Sequence, residues 1–229
     1  MNIEVQRAMA ERGISRLCHF TPSRNLAHIV CDHIGVLATR TLKVEERKVF
    51  NPTDLERLDR HEGHICCSIE YPNAWYFDRA RATEILFPDW VILFIRPDYI
   101  CHDRALFCPR NAASGHGAYL RCGIAGFDAM YADTIHGAYG HSYVRSTARL
   151  ASVPTDDQAE VLIPDSILLR DILSVAVRDD AQAKNEIVRL RLLGRVESLK
   201  FVVAPDLFNK RRLSAMLRDG VRPIEEERL

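Results

Sequence analysis

The chain carries no net charge: its 229 residues hold 31 Lys plus Arg against 31 Asp plus Glu. That balance excludes a global field able to hold nucleic acid or an anionic membrane without specificity, so any such contact must come from a local patch. No apolar run reaches the roughly 18 residues of a membrane span, and the short amphipathic N-terminus is charged; no membrane partner is expected and a cytoplasmic location is. No internal repeat and no low-complexity linker interrupts the sequence, so residues 1–229 are read as one domain. No C-x2-C knuckle is present among the seven cysteines, an odd number with several inside apolar runs, which argues against a disulfide framework. Cys101, Cys108, His116 and Cys122 lie too far apart for a zinc knuckle, and His61-Glu62-Gly63-His64 lacks the i, i+4 spacing of paired histidine ligands, so no metal is expected. Gly115-x-Gly117 has no preceding strand and no third glycine in register, which excludes a dinucleotide fingerprint.

What remains is a chain of ordinary globular composition, 47% hydrophobic. Strand patterns cover 16–20, 36–40, 64–72, 89–97, the run around Ala159–Ile163, 173–178 and 199–204. Helical patterns cover the N-terminus, 73–84, 180–194 and 206–217. Thr21-Pro22 reads as a helix start, cap hydroxyl then proline, with the helix ending before Gly35. Residues 41–63 read as a long charged loop with a helical turn, and 101–157 as mostly loop around one helix at AGFDAMYAD. Strands and helices alternate without the rhythm of a doubly wound parallel sheet, so a mixed α+β domain with a split sheet is expected.

One residue is out of place in this pattern. Glu160 puts a carboxylate inside the short apolar run AEVLI, where it either faces solvent or serves a cleft. Three other features accompany it: HFTPSRNL after the first strand, IEYPNAWYF, and FCPRNAA. Together with DQAEVLIPDSI they resemble the DarT family of nucleic-acid ADP-ribosyltransferases over about residues 16 to 178. The resemblance implies an ADP-ribosyltransferase fold, NAD as co-substrate, transfer of ADP-ribose to a base of single-stranded DNA, and a toxin countered by an antitoxin with ADP-ribosyl-hydrolase activity.

On the matching positions, Glu160 is the catalytic glutamate and Arg47 the catalytic-loop arginine, with Lys48 as the alternative register. His19, Phe20 and Thr21 hold the nicotinamide side of NAD, with Asn25 and Tyr71 beside them. The resemblance leaves Lys48, Trp75, Arg110 and Asn111 as nucleic-acid contacts. A fixed carboxylate suits this chemistry, because cleaving the nicotinamide–ribose bond creates an oxocarbenium-like centre that a negative charge stabilises. It can also take the proton of the attacking base. The segment HICCSIEYPNAWYF departs from the better-known branch, which points to a guanine-type acceptor rather than thymine. An acceptor in RNA or a protein side chain, and a catalytically silent binding module, are the competing readings. The basic stretch Lys210, Arg211, Arg212 and Arg218 is a further contact candidate, offset by the acidic tail EEERL.

Overall fold

The computed structural model describes residues 1–31, 35–41, 58–84, 87–137, 140–194 and 199–228. In chain order the elements are α1 (Ile3–Arg12), β1 (Leu17–Pro22), α2 (Arg24–Cys31), β2 (Val36–Leu37), β3 (His64–Ile69), α3 (Ala74–Thr83), β4 (Trp90–Ile95), β5 (Leu106–Cys108), β6 (Arg121–Cys122) and α4 (Gly123–Ala129). They continue with β7 (Thr134–His136), β8 (Ser142–Val144), β9 (Glu160–Pro164), β10 (Ser166–Ile167), β11 (Ile172–Val177), α5 (Asp180–Leu192), β12 (Phe201–Val203), α6 (Lys210–Arg218) and β13 (Glu226–Arg228).

A nine-stranded sheet in the order β13-β12-β11-β4-β1-β3-β9-β5-β6 organises the molecule. Only β11 and β12 run parallel; the other neighbours are antiparallel. β4 shows why the centre reads as one unbroken apolar run. Val91, Leu93 and Ile95 face one core with α1, α2, α4 and α5, while Trp90, Ile92 and Phe94 face a second core with α3 and α6.

The feature that positions the site is where β1 and β3 part. β1 pairs with β4 along its whole length, Leu17↔Ile95 through Pro22↔Trp90, but with β3 only at Leu17↔Ile69 and Cys18↔Ser68. Past that point β3 follows β9, from Cys67↔Val161 to His64↔Pro164. The sheet is therefore split beside His19, Phe20 and Thr21.

This split also corrects the expected helix start at Thr21-Pro22. Both residues belong to β1, and α2 begins at Arg24. Ser23 N–H donates to Asp89 O at 2.9 Å. By the alternation of an antiparallel ladder, the nitrogen of Pro22 then faces the side that β3 has left, where no hydrogen is needed.

Other boundaries shift for local reasons. β3 stops at Ile69 because Glu70 takes φ 65°, a left-handed turn rare for a non-glycine residue. The turn is held by its own contacts: Glu70 is buried, its carboxylate accepts from Ser15 N–H and hydroxyl, and its carbonyl accepts from Arg16 Nε at 2.8 Å. It delivers the chain to Asn73, the N-cap of α3. Gly35 also has positive φ, and a Cβ there would lie 2.0 Å from Ile167 O, so the β2–β10 crossing requires glycine.

The stretch 101–157 is less loop-like than expected. It contains β5 to β8, and its helix begins earlier, at Gly123, and ends at Ala129. In the expected helix 206–217, a 3-10 turn at Pro205–Phe208 precedes α6, and β13 closes the sheet edge. Most of the long charged loop, including Arg47 and Lys48, lies outside the described residues.

Candidate active site

Glu160 is the first residue of β9 and is 5% exposed. A buried carboxylate is tolerable only where donors replace water, and this one has three. Asn73 Nδ2 donates to Oε1 at 2.9 Å, Asn111 Nδ2 to Oε1 at 3.3 Å, and Ala112 N–H to Oε2 at 2.8 Å. These fix the plane of the carboxylate from two directions: the start of α3 and the loop after β5.

Asn73 does more than donate. Its Oδ1 accepts from Tyr76 N–H at 3.0 Å as the helix cap, and its own N–H donates to Ser68 Oγ at 3.0 Å. The N-terminal end of α3 thus faces Glu160, where the helix dipole favours a negative charge. One turn further, α3 reaches across to β1: the Phe20 ring stacks on Phe77 at 4.8 Å and lies 5.9 Å from Tyr76. A single helix ties the two sides of the split together.

On the β1 side, His19 Nδ1 lies 2.9 Å from Cys66 O, bridging the split to β3. Thr21 is buried and its Oγ1 accepts from Asn25 Nδ2 at 2.9 Å, while Asn25 Oδ1 is buried with no hydrogen-bond partner. The ladder alternation that turns Pro22 N toward the gap turns the Phe20 N–H and C=O the same way. The β1 side therefore offers one donor and one acceptor from a single peptide residue, plus an orphaned amide oxygen.

The chemistry of the neighbours leaves Glu160 as the reactive group. Burial, together with the charges of Glu160 and Asp156, pushes the Cys108 thiol up to about 12, and burial pushes the Cys67 thiol up as well. Neither thiol is a nucleophile near neutrality. Asp156, in the turn before β9, is also buried; desolvation, reinforced by Asp157, raises it to about 6, against one N–H donor from Gln158. Among the described residues no group of three His, Cys, Asp or Glu could hold a metal ion.

The structure brings His19, Phe20, Thr21 and Asn25 together on one side of the split and Glu160 with Asn111 on the other. It places the remaining candidates elsewhere. Tyr71 is packed beneath Arg16, whose guanidinium lies 5.3 Å from its ring, and burial raises its phenol above the usual value. Trp75 is on the surface of α3, donating to Ser214 Oγ at 3.0 Å. Arg110 donates to His136 O at 2.6 Å and lies 3.7 Å over the Tyr119 ring. Sequence reasoning missed Asn73 and the main chain of Ala112. Asn73 is visible in the sequence as a helix-capping residue, but its second role needs the long-range contact with Glu160.

The chain covers 85% of its length on the Thermosipho africanus DarTG structure in complex with ADP-ribose, with TM-score 0.58 and 14% identity, and spans about half, 51%, of that chain. Thermus sp. 2.9 DarT in complex with NAD+ matches with TM-score 0.55 and 13% identity over 85% of this chain and 97% of that one. The same protein with ADP-ribosylated ssDNA matches with TM-score 0.56 and 12% identity over 86% and 97%. The mixed α+β fold is thus that of the DarT structures. No curated protein sequence matches the chain. The family model of DarT, ssDNA thymidine ADP-ribosyltransferase, matches residues 18–209. The chain belongs to the DarT family.

Proposed function

We propose that this protein transfers ADP-ribose from NAD to a base of single-stranded DNA and releases nicotinamide. The observation that carries the reading is Glu160: a buried carboxylate held by three donors at the head of a strand, next to a split in the sheet. Family membership supports NAD and single-stranded DNA as the substrates. The family description names thymidine, so thymine is the acceptor base of this proposal in place of the guanine suggested by the divergent segment.

The residues fit NAD on both sides of an ADP-ribosyltransferase-like split sheet. A carboxamide needs one acceptor and one donor, which the N–H and C=O of Phe20 supply. Hydroxyls of a ribose suit His19, Thr21 and the orphaned Oδ1 of Asn25. Glu160 then stabilises positive charge that develops at the ribose as nicotinamide leaves, and takes the proton of the attacking base nitrogen. Because its donors already fix the carboxylate, little reorganisation is needed as charge appears. Arg47 completes the site from the loop, through a planar fork on phosphate or on the altered base; Arg47→Ala lowers transfer, and an effect confined to Lys48→Ala moves the register by one.

In this reading residues 1–229 act as one unit in the cytoplasm, where NAD and single-stranded DNA occur together, and toxicity is checked by an antitoxin with ADP-ribosyl-hydrolase activity. The Thermosipho DarTG chain, in which this fold occupies about half the length, supports a partner of that kind. Among the described residues no helix is long and apolar enough to cross a membrane.

The test incubates the protein and NAD with single-stranded DNA and RNA oligonucleotides containing all four bases and weighs the products. A gain of one ADP-ribose on DNA, on thymine by fragmentation and absent with Glu160→Gln, is the expected result. Nicotinamide release with a gain on RNA or protein alone would replace the acceptor.

A further inference from the structure

Helix α6 starts at Lys210, just past the stretch matched by the family model, so its charges are not accounted for by that match. Leu213 and Leu217 bury one side of it, while Arg211, Ser214 and Arg218 recur at spacings of three and four and form a stripe on another. The stripe lies against α3. Ser214 Oγ accepts from Trp75 Nε1 at 3.0 Å, and Lys210 Nζ lies 5.1 Å over the indole while pairing with Asp78 at 2.6 Å. Trp75 is thereby pinned along one edge and still 40% exposed.

The charges around this indole are unevenly paired. Arg81 and Lys210 share Asp78, and Arg212 pairs with Asp206 at 2.6 Å. Arg79, one turn along α3 from Trp75, is exposed, as are Arg211 and Arg218, and among the described residues these three have no acidic partner. In a chain of zero net charge, an unneutralised cluster marks where an anion is met. Trp75 also follows Asn73 by two residues, and Asn73 holds Glu160. The cluster therefore begins within one helical turn of the residue that fixes the reacting carboxylate.

We propose that the α3–α6 surface binds the acceptor strand beside the target base, with Trp75 stacking on a neighbouring base and Arg79, Arg211 and Arg218 on phosphates. This rests on the reading of the protein as a single-stranded-DNA transferase. A pinned aromatic face flanked by cations is what a single strand requires, because every base has a π-face and every linkage a charge. Guanidinium groups suit both parts, through phosphate hydrogen bonds and stacking.

The test measures fluorescence anisotropy of a labelled oligonucleotide of about 15 nucleotides, within the span such sites cover, using Glu160→Gln protein so that nothing turns over. Arg211→Ala with Arg218→Ala is expected to weaken DNA binding about tenfold and to lower the salt slope by about 2, one for each lost phosphate contact. Trp75→Ala is expected to weaken it by a similar factor and Trp75→Phe to restore most of the affinity, with NAD binding unchanged in all. Undiminished DNA affinity and salt slope in the double variant would overturn the proposal and assign the stripe to a protein partner. Failure of the wild type to modify DNA, with binding still lost in the double variant, would sink the activity and keep the surface. Transfer by the wild type with unaltered binding in the double variant would do the reverse.

Discussion

The two sides of the split sheet are built on different principles. On the β1 side the strand is paired with β4 to its end, and its binding groups are local: His19, Phe20 and Thr21 in one strand, and Asn25 one turn into the next helix. On the β9 side a single carboxylate depends on donors 87, 48 and 49 residues away in sequence. The difference suits two tasks. Recognition of a carboxamide and hydroxyls can be written on one strand, whereas a buried charge poised for chemistry needs groups gathered from several elements. Helix α3 couples them, capped by the residue that holds Glu160 and stacked on Phe20 one turn later.

The largest effect expected from breaking this arrangement is on the β9 side. Glu160→Gln keeps the volume and removes the charge and base, so transfer is expected to fall by at least about 10³-fold, while the melting temperature stays near that of the wild type. Next comes the coupling residue. Asn73→Ala removes the helix cap, worth about 1 kcal/mol, and leaves a buried charged acceptor short of a donor, costing about 2 kcal/mol more. Denaturant unfolding should register roughly the sum. Asn73→Asp keeps the cap but sets a second carboxylate against Glu160. Repulsion then favours one shared proton, so the acid limb of the pH–rate profile should move to higher pH. An unmoved limb would mean that the Asn73 contact does not matter to the reacting state.

On the β1 side, Phe20→Ala removes a ring packed on Phe77 and Tyr76 but leaves the peptide. A loss of about 2 kcal/mol in stability is expected, below the range for fully buried phenylalanines, with nicotinamide release at saturating NAD largely kept. The smallest effect is expected at Asp156, which contrasts with Glu160 in having a single N–H donor against burial. Its folded value of about 6 lies above the ordinary 3.8. The folded state therefore binds the extra proton between those values, and stability falls as pH rises through that window. Asp156→Asn should stabilise the protein by about 1–2 kcal/mol at pH 8, short of the roughly 3 kcal/mol the full shift represents, and by nothing near pH 3.5. Equal stabilisation at both would assign the effect to something other than the buried charge.

How much of this was legible in the sequence follows the same division. The apolar run at 90–95 and the caps of α3 and α5 are local signals, and they placed most elements within a few residues. Glu160 was conspicuous because a carboxylate interrupts an apolar strand. The short strands β5 to β8 were not legible, since two or three residues carry no periodicity. Pro22 misled for a physical reason: it resembles a helix start unless the neighbouring strand is known to have departed. The partners of Glu160 were hidden because each is a distant contact, one of them from main chain that any residue could supply.

The most direct test of the division of labour is NAD binding measured calorimetrically for the wild type, His19→Ala and Glu160→Gln, beside nicotinamide release by the same proteins. The account predicts that His19→Ala loses NAD affinity, while Glu160→Gln keeps it within about twofold and loses turnover by the factor given above. A Glu160→Gln protein that fails to bind NAD, or a His19→Ala protein that binds it normally, would contradict it.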